Sequence, residues 1–264
     1  MNDFEFHRPA TVADALAAFA GRDDARFLAG GQSLLPSMKL GLSAPSDLVD
    51  LSRVEGLSGI RVQGNALVVG ATTTHAAVAA SPEVARALPA LARVADGIGD
   101  RAVRARGTLG GSLANNDPAA CWPAAVLGLG ATIRTDRRAI PADDFFTGLY
   151  ETALAPGELL TAVEFPLAER AGWVKFKQPA SRFSLVGVFA SRGPAGVRVA
   201  VTGAGPSVFR VPALEAALAR EWSAKALEGA QVSPAGLNSD LHASAEYRAH
   251  LIPVLCRRAV TQAG

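Results

Sequence analysis

LAGGQSLLPSMK (28–39) and RGTLGGSLANNDP (106–118) are the two stretches on which the reading of this chain turns. The first runs from a strand-like FLA into Gly30, Gly31, Gln32 and Ser33, then into a short helical stretch that Ser33 is placed to cap. Paired glycines let a backbone approach a ligand without Cβ obstruction, and N–H groups at the start of a helix form a donor-rich concavity suited to phosphate or pyrophosphate. The second stretch alternates Gly107, Gly110 and Gly111 with the hydroxyls of Thr108 and Ser112 and the amides of Asn115 and Asn116. It has no periodicity and reads as a loop followed by a helix. Either stretch alone reads first as a tight structural turn, but the two together are more informative than each separately.

Neither stretch fits a standard nucleotide pattern. G-x-x-x-x-G-K-[ST] is absent, and so is G-x-G-x-x-G with an acidic residue about twenty positions further on. The hydrolase elbow G-x-S-x-G fails because Leu35 stands where the second glycine belongs. Composition narrows the classes further. Over 264 residues the net charge is +2, with 49% apolar and 19% charged residues, so the chain can bury a large core and lacks the basic balance of a nucleic-acid binder. The longest uncharged stretch, 118–133, contains Pro123, Gly128 and Gly130 and falls short of the roughly 20 apolar residues that span a bilayer, so no membrane insertion is expected. MNDFEFHRPA (1–10) has acidic residues where an export signal needs basic ones, and a cytoplasmic protein is expected. Cys121 and Cys256 are too few for a disulfide framework or a four-thiolate cluster, and His7, His75, His242 and His250 show no metal-ligand spacing.

Outward from the glycine stretches, three regions follow. FEFHRP, a helix over 11–20 capped by Thr11, Arg26–Ala29 and SDLVDL read as a small βαβ unit closing near residue 55. GIRVQGNALVVGA reads as a hairpin around Gly64, followed by a helix capped by Thr73 or Thr74 and an amphipathic helix over Val84–Val94. An apolar helix over Pro123–Leu129 and the strands ATIRT and LLTAVEF complete this region near residue 167. WVKFK, LVGVFAS and VRVAVTG, then helices near Ala213–Ala219 and Glu246–Ala259, make the last region α+β, with Arg257 and Arg258 placed in the final turns.

AGGQSLLPSMKL and GTLGGSLANNDPAA, in this order, resemble the flavin-binding medium subunit of bacterial molybdenum hydroxylases, the group of carbon monoxide dehydrogenase and xanthine dehydrogenase. LVDLSRVEGLSGI, TTTHAAVAASPEV, PGELLTAVEFP and AEYRAHLIPVLCRRAV extend the likeness over essentially the whole chain. The resemblance implies an α+β fold of the vanillyl-alcohol-oxidase (PCMH) type. Two FAD-binding subdomains, 1–55 and 56–167, precede a C-terminal α+β domain, 168–264. It also implies that Leu28, Ala29, Gly30, Gly31, Gln32, Ser33 and Leu34 wrap the FAD pyrophosphate and that Thr108, Gly110 and Gly111 approach from the other subdomain. Ser112, Asn115 and Asp117 continue the FAD wall, Leu160 packs on the cofactor, and Lys177 lies near the flavin, where a cation stabilises the negative charge of the reduced ring. Gly128, in a helix, is expected to tolerate a larger side chain without affecting the cofactor.

Two departures from the family pattern stand out. Cys121 occupies a position where relatives commonly carry an acid, and Arg182 in SRFSLVG replaces another, while Phe183 keeps an aromatic. By resemblance, the chain is an electron-transfer subunit that receives electrons from [2Fe–2S] centres on a small partner subunit and passes them to an external acceptor. A large partner carries molybdopterin and performs the hydroxylation. No cysteine or histidine sits in a family attachment motif, so noncovalent FAD is expected. Two other readings remain at this stage: a flavin-free scaffold of the same architecture, motivated by Cys121 and Arg182, and a free-nucleotide binder using Arg101, Arg104 and Arg106.

Overall fold

The computed structural model describes residues 2–264. Its N-terminal region contains β1 (Glu5–His7), α1 (Val12–Phe19), β2 (Arg26–Leu28), α2 (Leu34–Lys39) and β3 (Asp47–Asp50). The three strands form a parallel sheet in the order β1-β3-β2. Thr11 caps α1 by accepting from the Asp14 N–H, and Ala15, Val49, Leu51 and Leu57 form a small core beside the stacked rings of Phe19 and Phe27. Because β2 stops at Leu28, the first glycine stretch lies just beyond the carboxyl end of a parallel strand, the usual position of a ligand in such sheets. Ser33 behaves differently from expectation: its backbone is already helical, and its side chain makes no capping hydrogen bond.

The middle region runs through β4 (Ile60–Gln63), β5 (Ala66–Gly70), α3 (His75–Ala80), α4 (Pro82–Ala87), α5 (Pro89–Asp96), α6 (Arg101–Arg106), α7 (Leu109–Asn115) and α8 (Trp122–Leu129). It continues with β6 (Thr132–Thr135), β7 (Ala139–Pro141), α9 (Ala142–Phe145), β8 (Phe146–Gly148), β9 (Glu151–Thr152) and β10 (Leu160–Pro166). Five of these strands make an antiparallel sheet in the order β4-β5-β10-β6-β7. The helix expected over Val84–Val94 is two helices, because Pro89 has no N–H to continue the ladder and starts a new helix instead. The second glycine stretch is also not a loop. Thr108 caps α7 by accepting from the Gly111 N–H, and both Gly110 and Gly111 lie inside that helix.

The C-terminal region is an antiparallel meander of β11 (Arg170–Lys177), β12 (Ser184–Gly193), β13 (Gly196–Thr202) and β14 (Phe209–Arg210), followed by α10 (Pro212–Arg220) and α11 (Ala245–Ala263). Alternation along β12 serves two cores: Val186, Val188 and Ala190 join Leu214, Ile252 and Leu255 on the helical side, while Phe189 joins the core of the middle region. Gly172 lets α11 lie directly on β11, since a Cβ there would collide with the Ala259 carbonyl. α11 extends to Ala263, so Arg257 and Arg258 do not occupy its last turn. Between the middle and C-terminal sheets runs α8, apolar on every side and buried at all eight positions. Gly128 is where it meets Phe189, with only 2.7 Å between a Cβ at that position and the Phe189 ring, so this glycine does not tolerate a larger side chain. Among the described residues no helix is long and apolar enough to cross a membrane.

Candidate functional site

A cleft of about 900 Å³ lies where the N-terminal and middle regions meet, and its far end reaches β11 of the C-terminal region. Both glycine stretches line it. They touch at Gly30, where a Cβ would collide with the Arg106 carbonyl and the Cα of Gly107. The second stretch is fixed to the region before α3: Thr74 and Thr108 form a β-bridge, His75 N–H donates to Gly107 O at 2.9 Å, and Gly110 N–H donates to Ala71 O at 2.8 Å. Gly110 is glycine because a Cβ there would stand 2.7 Å from that of Ala71.

The two stretches differ in the donors they leave free. In the second, the N–H groups of Leu109, Gly110, Gly111 and Ser112 are all taken, by Thr73 O, Ala71 O, Thr108 Oγ1 and Thr108 O. The backbone of this stretch is therefore spent within the protein, and what it offers the cleft is a close-fitting wall with the side chains of Ser112 and Asn115. In the first, the N–H groups of Gly30, Gly31, Gln32, Ser33 and Leu34 have no hydrogen-bond partner among the described residues. Gly31 turns this segment in the left-handed region, at φ +71°. Consecutive unsatisfied N–H groups at the entry to α2 make this half of the cleft a donor-rich concavity, chemically suited to an anion.

The opposite end is built around Cys121, Lys175 and the turn after β11. Lys175 Nζ donates to the Arg182 carbonyl at 2.9 Å and to Cys121 Sγ at 3.2 Å, with Ser184 Oγ 3.6 Å from the same sulfur. Arg182 adopts φ +62°, which turns its carbonyl to that ammonium. Gly203 N–H donates to Pro118 O at 2.7 Å, tying the segment that carries Asp117 and Cys121 to β13. Burial pushes the Asp117 carboxyl above its ordinary range, although the Ala119 N–H it accepts at 2.8 Å pulls the other way. Tyr150, at φ +56°, is held over the cleft by Asn116, whose Nδ2 donates to Gly148 O at 2.9 Å and to Glu151 O at 2.7 Å. Burial and the nearby Asp117 raise the Tyr150 phenol.

Two buried titratable groups complete the wall. Glu158 accepts from Arg138 through both carboxylate oxygens and from Thr135 Oγ1 and the Ala155 N–H; mainly through Arg138, its carboxyl is pulled down to about 2. His75 accepts from Trp122 Nε1 at 3.0 Å through Nδ1, and burial, with Arg104 nearby, lowers it to about 4.

Of the residues singled out in the sequence, Ala29 to Leu34, Thr108, Gly110, Gly111, Ser112, Asn115, Asp117 and Leu160 line the cleft. Leu28 and Lys177 do not. Leu28 ends β2 with its side chain behind Gly31, and Lys177 is exposed beyond a register shift at Phe176. The lysine that reaches the cleft is Lys175, which lines it together with Arg26 and Arg182. Sequence reasoning missed Lys175, Tyr150, Glu158 and His75. His75 stood in the noted segment TTTHAAVAASPEV, Glu158 in PGELLTAVEFP and Lys175 in WVKFK, but a single histidine without ligand spacing, a lone acid and a lone strand lysine carried no signal. Arg101, Arg104 and Arg106 do not line the cleft, and Arg104 instead donates to Ile98 O. Among the described residues no cluster of His, Cys, Asp or Glu could hold a metal.

Residues 2–168 match the family described as the FAD binding domain in molybdopterin dehydrogenase, and residues 186–263 match the CO dehydrogenase flavoprotein C-terminal domain. The nicotine 6-hydroxylase medium subunit of Paenarthrobacter nicotinovorans is 38% identical, over 97% of this chain and 95% of its own length. The carbon monoxide dehydrogenase medium chain of Hydrogenophaga pseudoflava is 33% identical, over 98% and 96%. Among solved structures, the reconstituted CO dehydrogenase from Oligotropha carboxidovorans superposes with a TM-score of 0.91 at 33% identity, covering 99% of this chain and 98% of that one.

Proposed function

This chain belongs to the FAD-binding medium subunits of the molybdenum hydroxylases, and from that premise we propose that its cleft holds FAD noncovalently between the two glycine stretches and relays electrons between partner subunits and an external acceptor. The observation that carries the reading is the row of unpartnered N–H groups from Gly30 to Leu34, facing a wall closed by Gly107 and α7. Those groups would bind the pyrophosphate, with Ser112 and Asn115 completing its surroundings. Lys175 would place its ammonium beside the flavin, in the role the family pattern gives to Lys177. Asp117 and Leu160 would orient the ring from either side. Bound FAD supplies redox chemistry that accepts electrons singly and releases them as a pair.

The chain's own residues define what it leaves to others. Cys121 and Cys256 are both free and buried, and two thiols cannot hold a four-thiolate cluster. Electrons would therefore arrive from [2Fe–2S] centres on a small iron–sulfur subunit, and a large molybdopterin subunit would hydroxylate the substrate. The sheets support the division into 1–55, 56–167 and 168–264, since each part carries one principal sheet. A cytoplasmic location fits this assembly. Purification from the native source tests the proposal: a molybdenum-containing chain and a cysteine-rich iron–sulfur chain are expected to co-isolate with this one. A chain that runs alone and turns over substrate unaided would overturn it.

A further inference from the structure

We propose that His75 is a neutral hydrogen-bond donor of the cleft, held in one tautomer by Trp122, and that its acceptor is the anionic diphosphate of the cofactor; the inference rests on the FAD reading above. Trp122, from the buried helix α8, donates Nε1–H to Nδ1 of His75 at 3.0 Å. An indole nitrogen can only donate, so Nδ1 presents its lone pair and the proton of the neutral ring resides on Nε2. Nε2 has no acceptor among the described residues, and His75 lines the cleft. Its position is defined by Gly107: a Cβ there would stand 2.7 Å from Nε2. Gly107 is also the residue that Gly30 abuts, so the free Nε2–H sits near the place where the two glycine stretches meet, in the cleft that Gly30 to Leu34 also line.

The surroundings keep this donor uncharged. A second proton would have to enter at Nδ1 against the indole N–H of Trp122, and burial and the Arg104 guanidinium of α6 oppose it further. A charged histidine in the cleft would need a counter-ion, whereas a neutral Nε2–H needs none and still donates when a phosphate arrives.

A merely structural histidine would share the Trp122 bond, so the discriminating observation is at Nε2. Apoprotein labelled with ¹⁵N-histidine is titrated with FAD while uptake is followed by flavin fluorescence quenching. The chain has four histidines, and loss of one signal in His75→Gln assigns the resonance. The expected result is a ring protonated at Nε2 in both states, with its N–H resonance displaced and its exchange slowed by FAD, and displaced likewise by ADP, which carries the diphosphate without the flavin. His75→Phe is expected to raise the FAD Kd about tenfold, and His75→Gln, which retains a donor, less. Uptake of FAD with an unmoved Nε2–H, or an apoprotein ring protonated at Nδ1, would overturn the inference alone. Failure to take up FAD would overturn it together with the reading on which it rests.

Discussion

Lys175 and Lys177 stand two positions apart on one strand, yet one reaches the cleft and the other is in solvent. Strand alternation alone would put both on one face. The register shift between Phe176 and Lys177 breaks that alternation, and nothing in the residue types announces it. The two lysines consequently make a sharp test. Lys175→Met is expected to weaken FAD binding by about 1 kcal/mol, roughly a fivefold rise in Kd, whereas Lys177→Met should leave it unchanged. Apoprotein titrations of both variants decide it, and equal losses would mean that Lys175 does not face the flavin. At the same scale, Gly30 holds the two stretches in contact. Gly30→Ala should abolish FAD retention by driving Arg106 and Gly107 away, while Gly64→Asn, in an open hairpin turn with nothing within 4 Å of its Cβ, should retain the cofactor.

At the scale of elements, most strands and helices were legible because their periodicities are plain: Thr11 and Thr74 cap where expected, and the hairpin turns at Gly64. The failures have physical causes. α7 was hidden because each glycine lowers helix propensity by about 1 kcal/mol, and here burial of Leu109 and Leu113 together with the bond to Ala71 outweighs that cost. Capping by Ser33 was expected from residue type alone, although the chain enters α2 already helical. Glu158 shows what sequence cannot offer at this scale, since its side-chain partners, Thr135 and Arg138, come from the end of β6 and the turn into β7. Its carboxyl is lowered to about 2 from an ordinary 4.5, so the stability it contributes is fully present above about pH 4.5 and is lost as the pH falls towards 2. Glu158→Gln should cost about 1–2 kcal/mol at pH 7, discounted because Arg138 is half exposed, and the difference from the unaltered chain should vanish near pH 2. Urea unfolding as a function of pH measures this, and a pH-independent difference would remove the ion pair from the account.

At the scale of the molecule, the cleft is a junction rather than a pocket within one layer. The parallel N-terminal sheet supplies the free N–H groups, the middle region supplies α7 and His75, and the C-terminal meander supplies Lys175 and Phe183. The changing patterns along the sequence suggest three parts. How they meet was not visible, because Gly30 against Gly107 and Gly128 against Phe189 are contacts between segments far apart in the chain. A ligand that bridges the parts should stabilise all of them, by about 2.7 kcal/mol at a hundredfold excess over its Kd. The most direct test of the account is the flavin content of the purified chain, measured by absorbance after denaturation. One FAD per chain, released without covalent attachment, is the result expected; a colourless protein that takes up no added FAD would contradict it.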